Sequence, residues 1–280
     1  MRFEIVHTTT YDFSEPVFLE PHTLRLRPRD DAWQHLRSYS LDVVPSPAGL
    51  SHGVDAVGNA AAWAWFNGEH EKLEVTIETV VETLRPDPFD YVVPSPVLDR
   101  LPVPYHESER AALEPYTASR ATHEVVAFAQ EVAAGARQEL RRFLFDLTNA
   151  LYDACEVVIR PTGEPLPPER TLGDRSGSCR DLTVLYVECC RVMGVAARFV
   201  SGYQEGDPDT EERDLHAWAE AYVPGGGWRG FDPTHGLAVS DRHVALAAAP
   251  SARGAASVTG TFRKTGATSK MSASLEITVT

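Results

Sequence analysis

The chain is poor in cysteine, in basic side chains and in long apolar runs. Four cysteines in 280 residues, Cys155, Cys179 and the adjacent Cys189 and Cys190, are too few and too unevenly placed for a disulfide framework. They include no C-x-x-C pair, which argues against a structural zinc site, and neither H-E-x-x-H nor a P-loop is present. Lys and Arg number 26 against 40 Asp and Glu, a formal charge of -14, which argues against a nucleic-acid footprint or attraction to an anionic membrane. No stretch approaches the roughly 18 apolar residues that span a bilayer, and the N-terminus, MRFEIVHTTTYDF, is polar and alternating. A cytoplasmic protein is expected. The 43% of hydrophobic residues is enough for a sizeable core and excludes wholesale disorder.

Apolar residues alternate with polar ones over the first eighty-five or so residues. Phe3 and Ile5, Leu24 and Leu26, Tyr39, Leu41 and Val43, and Leu73, Val75 and Ile77 all fit a half-buried antiparallel sheet closed as a sandwich or curl. Pro86, Pro88, Pro94, Pro96, Pro102 and Pro104 are too dense for a helix or central strand and mark a connector. From about Thr122 the period becomes 3.6, with Val125, Phe128 and Val132, then Leu140, Phe143, Leu144, Leu147 and Leu151, giving two helices or one interrupted helix. A Pro/Gly-rich loop leads to Cys179, which opens the helix DLTVLYVECCRVMG. ARFVSGY, HAWAEAYV and WRGF then read as strands, and Leu275, Ile277 and Val279 as a final strand able to return to the N-terminal sheet. The fold class expected is α+β, organised as residues 1–85 (β domain), 86–118 (proline-rich connector), 119–242 (α+β core) and 243–280 (C-terminal β segment).

Chemistry concentrates between residues 173 and 236. Cys179 follows a Gly/Ser turn at a helix start, where backbone N–H groups and the helix dipole favour a thiolate. His216 opens one strand and Asp232 ends the next, so a hairpin of suitable register sets imidazole beside carboxylate. A thiol, a base and an orienting carboxylate are the parts of a nucleophilic site. Cys155, Cys189 and Cys190 fall in helical patterns and read as packing residues. Asp181, in the first helical turn, reads as structural. The acid-rich stretch 205–214 reads as a solvated loop, with a basic or amine-bearing substrate or a weak calcium contact as the alternatives.

Three segments, Gly177-Ser178-Cys179-Arg180-Asp181, His216-Ala217-Trp218-Ala219-Glu220 and Gly227-Trp228-Arg229-Gly230-Phe231-Asp232-Pro233-Thr234, resemble in order the motifs of the transglutaminase-like superfamily. The resemblance is to its bacterial members with an N-terminal β domain. It implies a papain-like core over 119–242, with Cys179 as nucleophile, His216 as base and then acid, and Asp232 as orienting carboxylate. The activity it implies is thiol-dependent hydrolysis of an amide or peptide bond through a Cys-His-Asp triad and a thioester, as in a cysteine protease or amidase. The alternatives are protein-glutamine acyl transfer to an amine, and a non-catalytic binding or scaffold module. Trp218 and Trp228 are the candidate substrate-binding walls, with core packing as their other reading. His235 stands where the motif leads one to expect Asn. No cofactor or metal is expected, and the partner is a peptide or protein amide, with no nucleic acid or membrane. The oligomeric state is left open.

Overall fold

The computed structural model describes residues 1–206 and 215–280. The acid-rich stretch singled out above lies almost wholly outside them. From the N-terminus come strands β1 (Arg2–Leu19), β2 (His22–Leu24), β3 (Gln34–Val44), β4 (Gly49–Val54), β5 (Ala60–Trp65) and β6 (Glu69–Thr83). Helices α1 (Glu107–Leu113), α2 (His123–Gly135) and α3 (Leu140–Ala154) follow, then β7 (Glu156–Val157), α4 (Pro168–Asp174), β8 (Ser176–Gly177) and α5 (Cys179–Val192). The rest is β9 (Ala197–Gln204), β10 (His216–Val223), β11 (Gly227–Asp232), β12 (Leu237–Ala238), β13 (His243–Ala249), β14 (Val258–Thr259), β15 (Phe262–Arg263) and β16 (Ser269–Val279).

The N-terminal part is two antiparallel sheets, one ordered β15-β1-β6-β3 with β16 also on β1, the other β14-β2-β5-β4. Strand β1 is long enough to carry both returning partners: β16 pairs from Phe3↔Val279 to Phe13↔Ser269, and β15 takes Phe18 and Leu19. The period-2 pattern places Phe3, Ile5, His7 and Thr9 on the buried face of β1. The final strand therefore does return to the first.

The second part is α+β. Its sheet is ordered β12-β11-β10-β9-β13, with α5 packed on β9 and β10. The interruption between α2 and α3 comes at Arg137 and Gln138, both with φ of 57°. Helix α5 buries Leu182, Leu185, Tyr186, Cys189 and Cys190 on its inner stripe. Beyond its C-cap, Gly194 turns the chain with φ of 74°, and an added Cβ there would lie 2.6 Å from Pro102 Cβ.

One core cluster spans both parts. Tyr203, Val244 and Leu246 of the second sheet pack among Phe3, Ile5 and Ile77 of the first. Two buried side-chain amides stitch β13 to the N-terminal strands. Gln34 bonds both the N–H (2.8 Å) and the C=O (3.0 Å) of Ala245, and Asn59 does the same to Ala248, at 2.8 and 3.0 Å. Glu220 of β10 bridges Arg198 on β9 and Arg29 from the N-terminal part. Burial opposes its charge, but the two guanidinium groups win and hold it at about 2.

Candidate functional site

Helix α5 begins at Cys179 because Asp181 closes its first turn. The fully buried Asp181 carboxylate accepts the Ser178 N–H (2.8 Å) and hydroxyl (2.7 Å), as well as Leu166 N–H (2.7 Å) and Arg160 Nη1 (2.6 Å). One side chain thus caps the helix and pins the 160–166 loop against it. Arg180 secures the same loop by donating to the carbonyls of Arg160 and Thr162. Cys179 is half-buried, whereas Cys189 and Cys190 are wholly buried and Cys155 nearly so, and burial pushes all three of those thiols up.

His216 and Asp232 meet through strand register. In the β10–β11 hairpin Ala219 faces Phe231 and Glu220 faces Gly230, so the same register sets Trp218 opposite Asp232 with His216 diagonal to it. Gly202 on β9 faces His216, and a Cβ there would lie 2.5 Å from the Trp218 ring and 2.2 Å from Val244 O. Only glycine fits between the Trp218 ring and the β13 backbone at this position.

The Asp232 carboxylate is a node for three imidazoles. Its Oδ2 accepts from His216 Nε2 (2.7 Å), His235 Nδ1 (2.8 Å) and His243 Nε2 (3.1 Å), while Oδ1 accepts the N–H groups of Thr234 (2.9 Å) and His235 (3.3 Å). Burial works against its charge, but His216 and the three ring donors hold the carboxyl well below the usual range. For His216 burial likewise opposes the charge. The Asp232 field and hydrogen bond, together with a hydrogen bond to the Cys179 side chain, outweigh it and push the imidazole up to about 10. Because Nε2 is engaged by Asp232, Nδ1 is the nitrogen left for Cys179.

His216, Asp232 and His243 offer three potential metal-ligand atoms within 4.8 Å of one another. As a donor set they fit a metal poorly. All the rings aim N–H groups at one oxygen, and a ligating His243 would have to carry its proton on Nδ1. That atom is buried without a partner among the described residues, whereas metal-bound histidines as a rule give their other N–H to an acceptor. The arrangement is a hydrogen-bond node.

Two cavities, of about 730 and 740 Å³, flank Cys179 and His216, and both are lined by these two residues, Tyr11, Arg180, Leu215 and Val258. The first adds aromatic walls from Phe13, Phe199 and Phe262; the second adds His7, Ile159 and His235. The N-terminal sheet therefore forms part of the site. Trp218 and Trp228 line neither. Trp218 is 1% exposed and packs edge-on against His243, at 5.1 Å between centroids. Trp228 lies with Tyr116, Tyr222 and the Arg198 guanidinium. No sequence signal pointed to Tyr11, Phe13 or Phe262, and none linked His243 to Asp232.

The expectation of thiol-dependent amide hydrolysis through a Cys-His-Asp triad is corrected by this geometry. Among the described residues the compact cluster is His216, Asp232 and His243, no cysteine belongs to it, and none of the four cysteines is paired. Asp232 is not the dedicated partner of one histidine but is shared among three rings, and Cys179 meets His216 from outside the cluster. Cysteine protease, amidase, thiol protease and catalytic triad are accordingly withdrawn as descriptions of the protein.

Residues 3–82 match the bacterial transglutaminase-like N-terminal region, and residues 126–233 match the transglutaminase-like superfamily. An uncharacterised protein of Mycobacterium tuberculosis is 27% identical over 88% of this chain and 82% of its own length. A protein-glutamine gamma-glutamyltransferase of Pseudomonas aeruginosa is 35% identical over 71 residues, 23% of this chain and 11% of that protein. The crystal structure of a Cytophaga hutchinsonii protein, described provisionally as a cysteine protease, shares the fold with a TM-score of 0.72, 21% identity and coverage of 100% of this chain and 91% of that one. The expected cytoplasmic location is also withdrawn; the solved structures that match include the periplasmic domain of TgpA from Pseudomonas aeruginosa (TM-score 0.40, 14% identity, 81% and 87% covered). Among the described residues no helix is long and apolar enough to cross a membrane.

Proposed function

Because the chain belongs to the transglutaminase-like superfamily, we propose that it transfers the acyl group of a peptide-bound glutamine to a primary amine, with Cys179 as acyl carrier, His216 as proton shuttle and Asp232 as the anchor of His216. The observation that carries the reading is the pair of cavities converging on Cys179 and His216. Acyl transfer brings two substrates to one sulfur in turn, and a cleft with two lobes beside Cys179 gives each of them a side from which to approach. Each is of a size that takes a side chain or small ligand. The 71-residue likeness to a protein-glutamine gamma-glutamyltransferase supports the donor class.

In this reading the Cys179 sulfur attacks the glutamine amide carbon, the C–N bond breaks, and His216 gives its proton to the departing nitrogen, which leaves as ammonia. The amine then attacks the thioester, yields its proton to His216, and the sulfur leaves as the new amide forms. A positive His216 beside Cys179 stabilises the negative charge that develops on sulfur. The shared carboxylate keeps the ring aimed at the thiol.

The test is incorporation of a fluorescent primary amine into a glutamine-containing peptide, with ammonia measured in parallel. Incorporation matched by ammonia, and reduced ~100-fold or more in Cys179→Ala and His216→Ala, is the expected result. Ammonia release without amine incorporation overturns the transferase. Peptide binding with neither product points to the non-catalytic module.

A further inference from the structure

We infer that His243 is a positioning residue: it holds Asp232, and through it His216, by a proton that the fold confines to Nε2. The inference rests on the proposed function only for its kinetic consequence; the proton assignment stands apart from it.

His243 comes from β13, outside the hairpin that carries His216 and Asp232, and its side chain is 1% exposed. Its Nε2 lies 3.1 Å from Asp232 Oδ2, and an ionised carboxylate only accepts, so Nε2 carries the hydrogen. Its Nδ1 is buried without a partner among the described residues, so a second proton there would forfeit a hydrogen bond. The Trp218 ring packs against it in a T-shaped arrangement, 5.1 Å between centroids. Burial lowers the His243 pKa in keeping with a neutral ring. The titratable groups facing it are Asp232, His216 at 6.1 Å between centroids and, across the carboxylate, His235; its partner on β9 is the neutral Gln204.

His235 donates to the same oxygen, but its side chain is 40% exposed and it lines the second cavity. His243 is the donor that neither water nor substrate reaches. Its fixed dipole keeps Oδ2 from swinging off His216 and draws charge from that oxygen, which moderates the pull of Asp232 on the His216 proton. A purely packing role would require only the ring's volume.

The experiment follows ring nitrogens by NMR in histidine-labelled wild type, His243→Leu and His243→Gln, with the pH profile of amine incorporation alongside. Wild-type His243 is expected as the neutral Nε2–H tautomer from about pH 5 to pH 8. In His243→Leu the His216 titration moves up by about half a unit or more, because Asp232 has lost a donor, and His243→Gln, which restores an N–H, moves it back. The basic limb of the activity profile follows the same order. A proton on Nδ1, a charged His243 in that range, or an unmoved His216 in a folded Leu variant overturns the inference. Should His243→Leu fail to fold, the wild-type tautomer and the Gln variant still decide. Loss of amine transfer with the NMR results intact would refute the proposed function and leave this inference standing.

Discussion

Histidines of opposite habit lie around the same cleft. His7, 3% exposed on β1, bonds Tyr203 Oη through Nδ1 (2.9 Å) and Thr9 Oγ1 through Nε2 (3.1 Å), and burial pushes its pKa down to about 4. Its folded value lies below the unfolded 6.5, so the stability it contributes is present above that pH and is lost as pH falls through about 4. His216, raised to about 10, runs the other way: its contribution is complete below 6.5 and disappears as pH climbs through 10. Urea unfolding at pH 7.5 and at pH 4.5 is expected to show His7 alone costing ~3 kcal/mol on the acid side, with His7→Gln much less sensitive to the change. An equally steep loss in that variant would show that other groups set the acid limb. The burial of His7 was legible, since it falls two residues after Ile5 on the same strand face. Its tie to Tyr203, 196 residues away, was not. His243 was equally hidden: its role depends on β13 pairing with β9, and nothing local in HVALAAA announces that partner.

Elements whose own pattern is periodic were the ones the sequence revealed. Strands β1, β3 and β6, the helix beginning at Cys179, and the β10–β11 hairpin each follow from alternation, a cap or a glycine turn. Strand β13 is different. Apart from His243 its residues are apolar, and all are buried, so no alternation shows which side meets which neighbour. What fixes it is a pair of distant amides, Gln34 at the start of β3 and Asn59 just before β5, each satisfying a donor and an acceptor of one β13 residue. The sequence marks Asn59 only as part of a Gly/Asn turn. Asn59→Ala strands the buried N–H and C=O of Ala248 and is expected to lower unfolding free energy by about 1–3 kcal/mol in urea titration. A change below about 0.5 kcal/mol would mean that water replaces the amide and that β13 is held by packing alone.

At the scale of the molecule, the site belongs to both parts of the chain. The sequence motifs located Cys179, His216 and Asp232 on the correct elements, but the cleft around them is closed by Tyr11 and Phe13 of β1 and by Phe262 of β15, more than 150 residues before Cys179 and more than 80 after it. Such walls carry no spacing rule, because they exist only once β16 and β15 have paired with β1. Within the second sheet, β13 pairing with β9 and His235 falling three residues after Asp232 turned an expected one-to-one His–Asp pair into a carboxylate shared by three rings. The central claim, that Cys179 carries an acyl group between two substrates, is tested most directly by intact-mass spectrometry after mixing the protein with an activated ester of a glutamine analogue and quenching in acid. One acyl adduct, mapped to Cys179 and discharged on adding a primary amine, is the predicted result. A folded protein that forms no adduct, or carries it on Cys155, Cys189 or Cys190, would contradict the account.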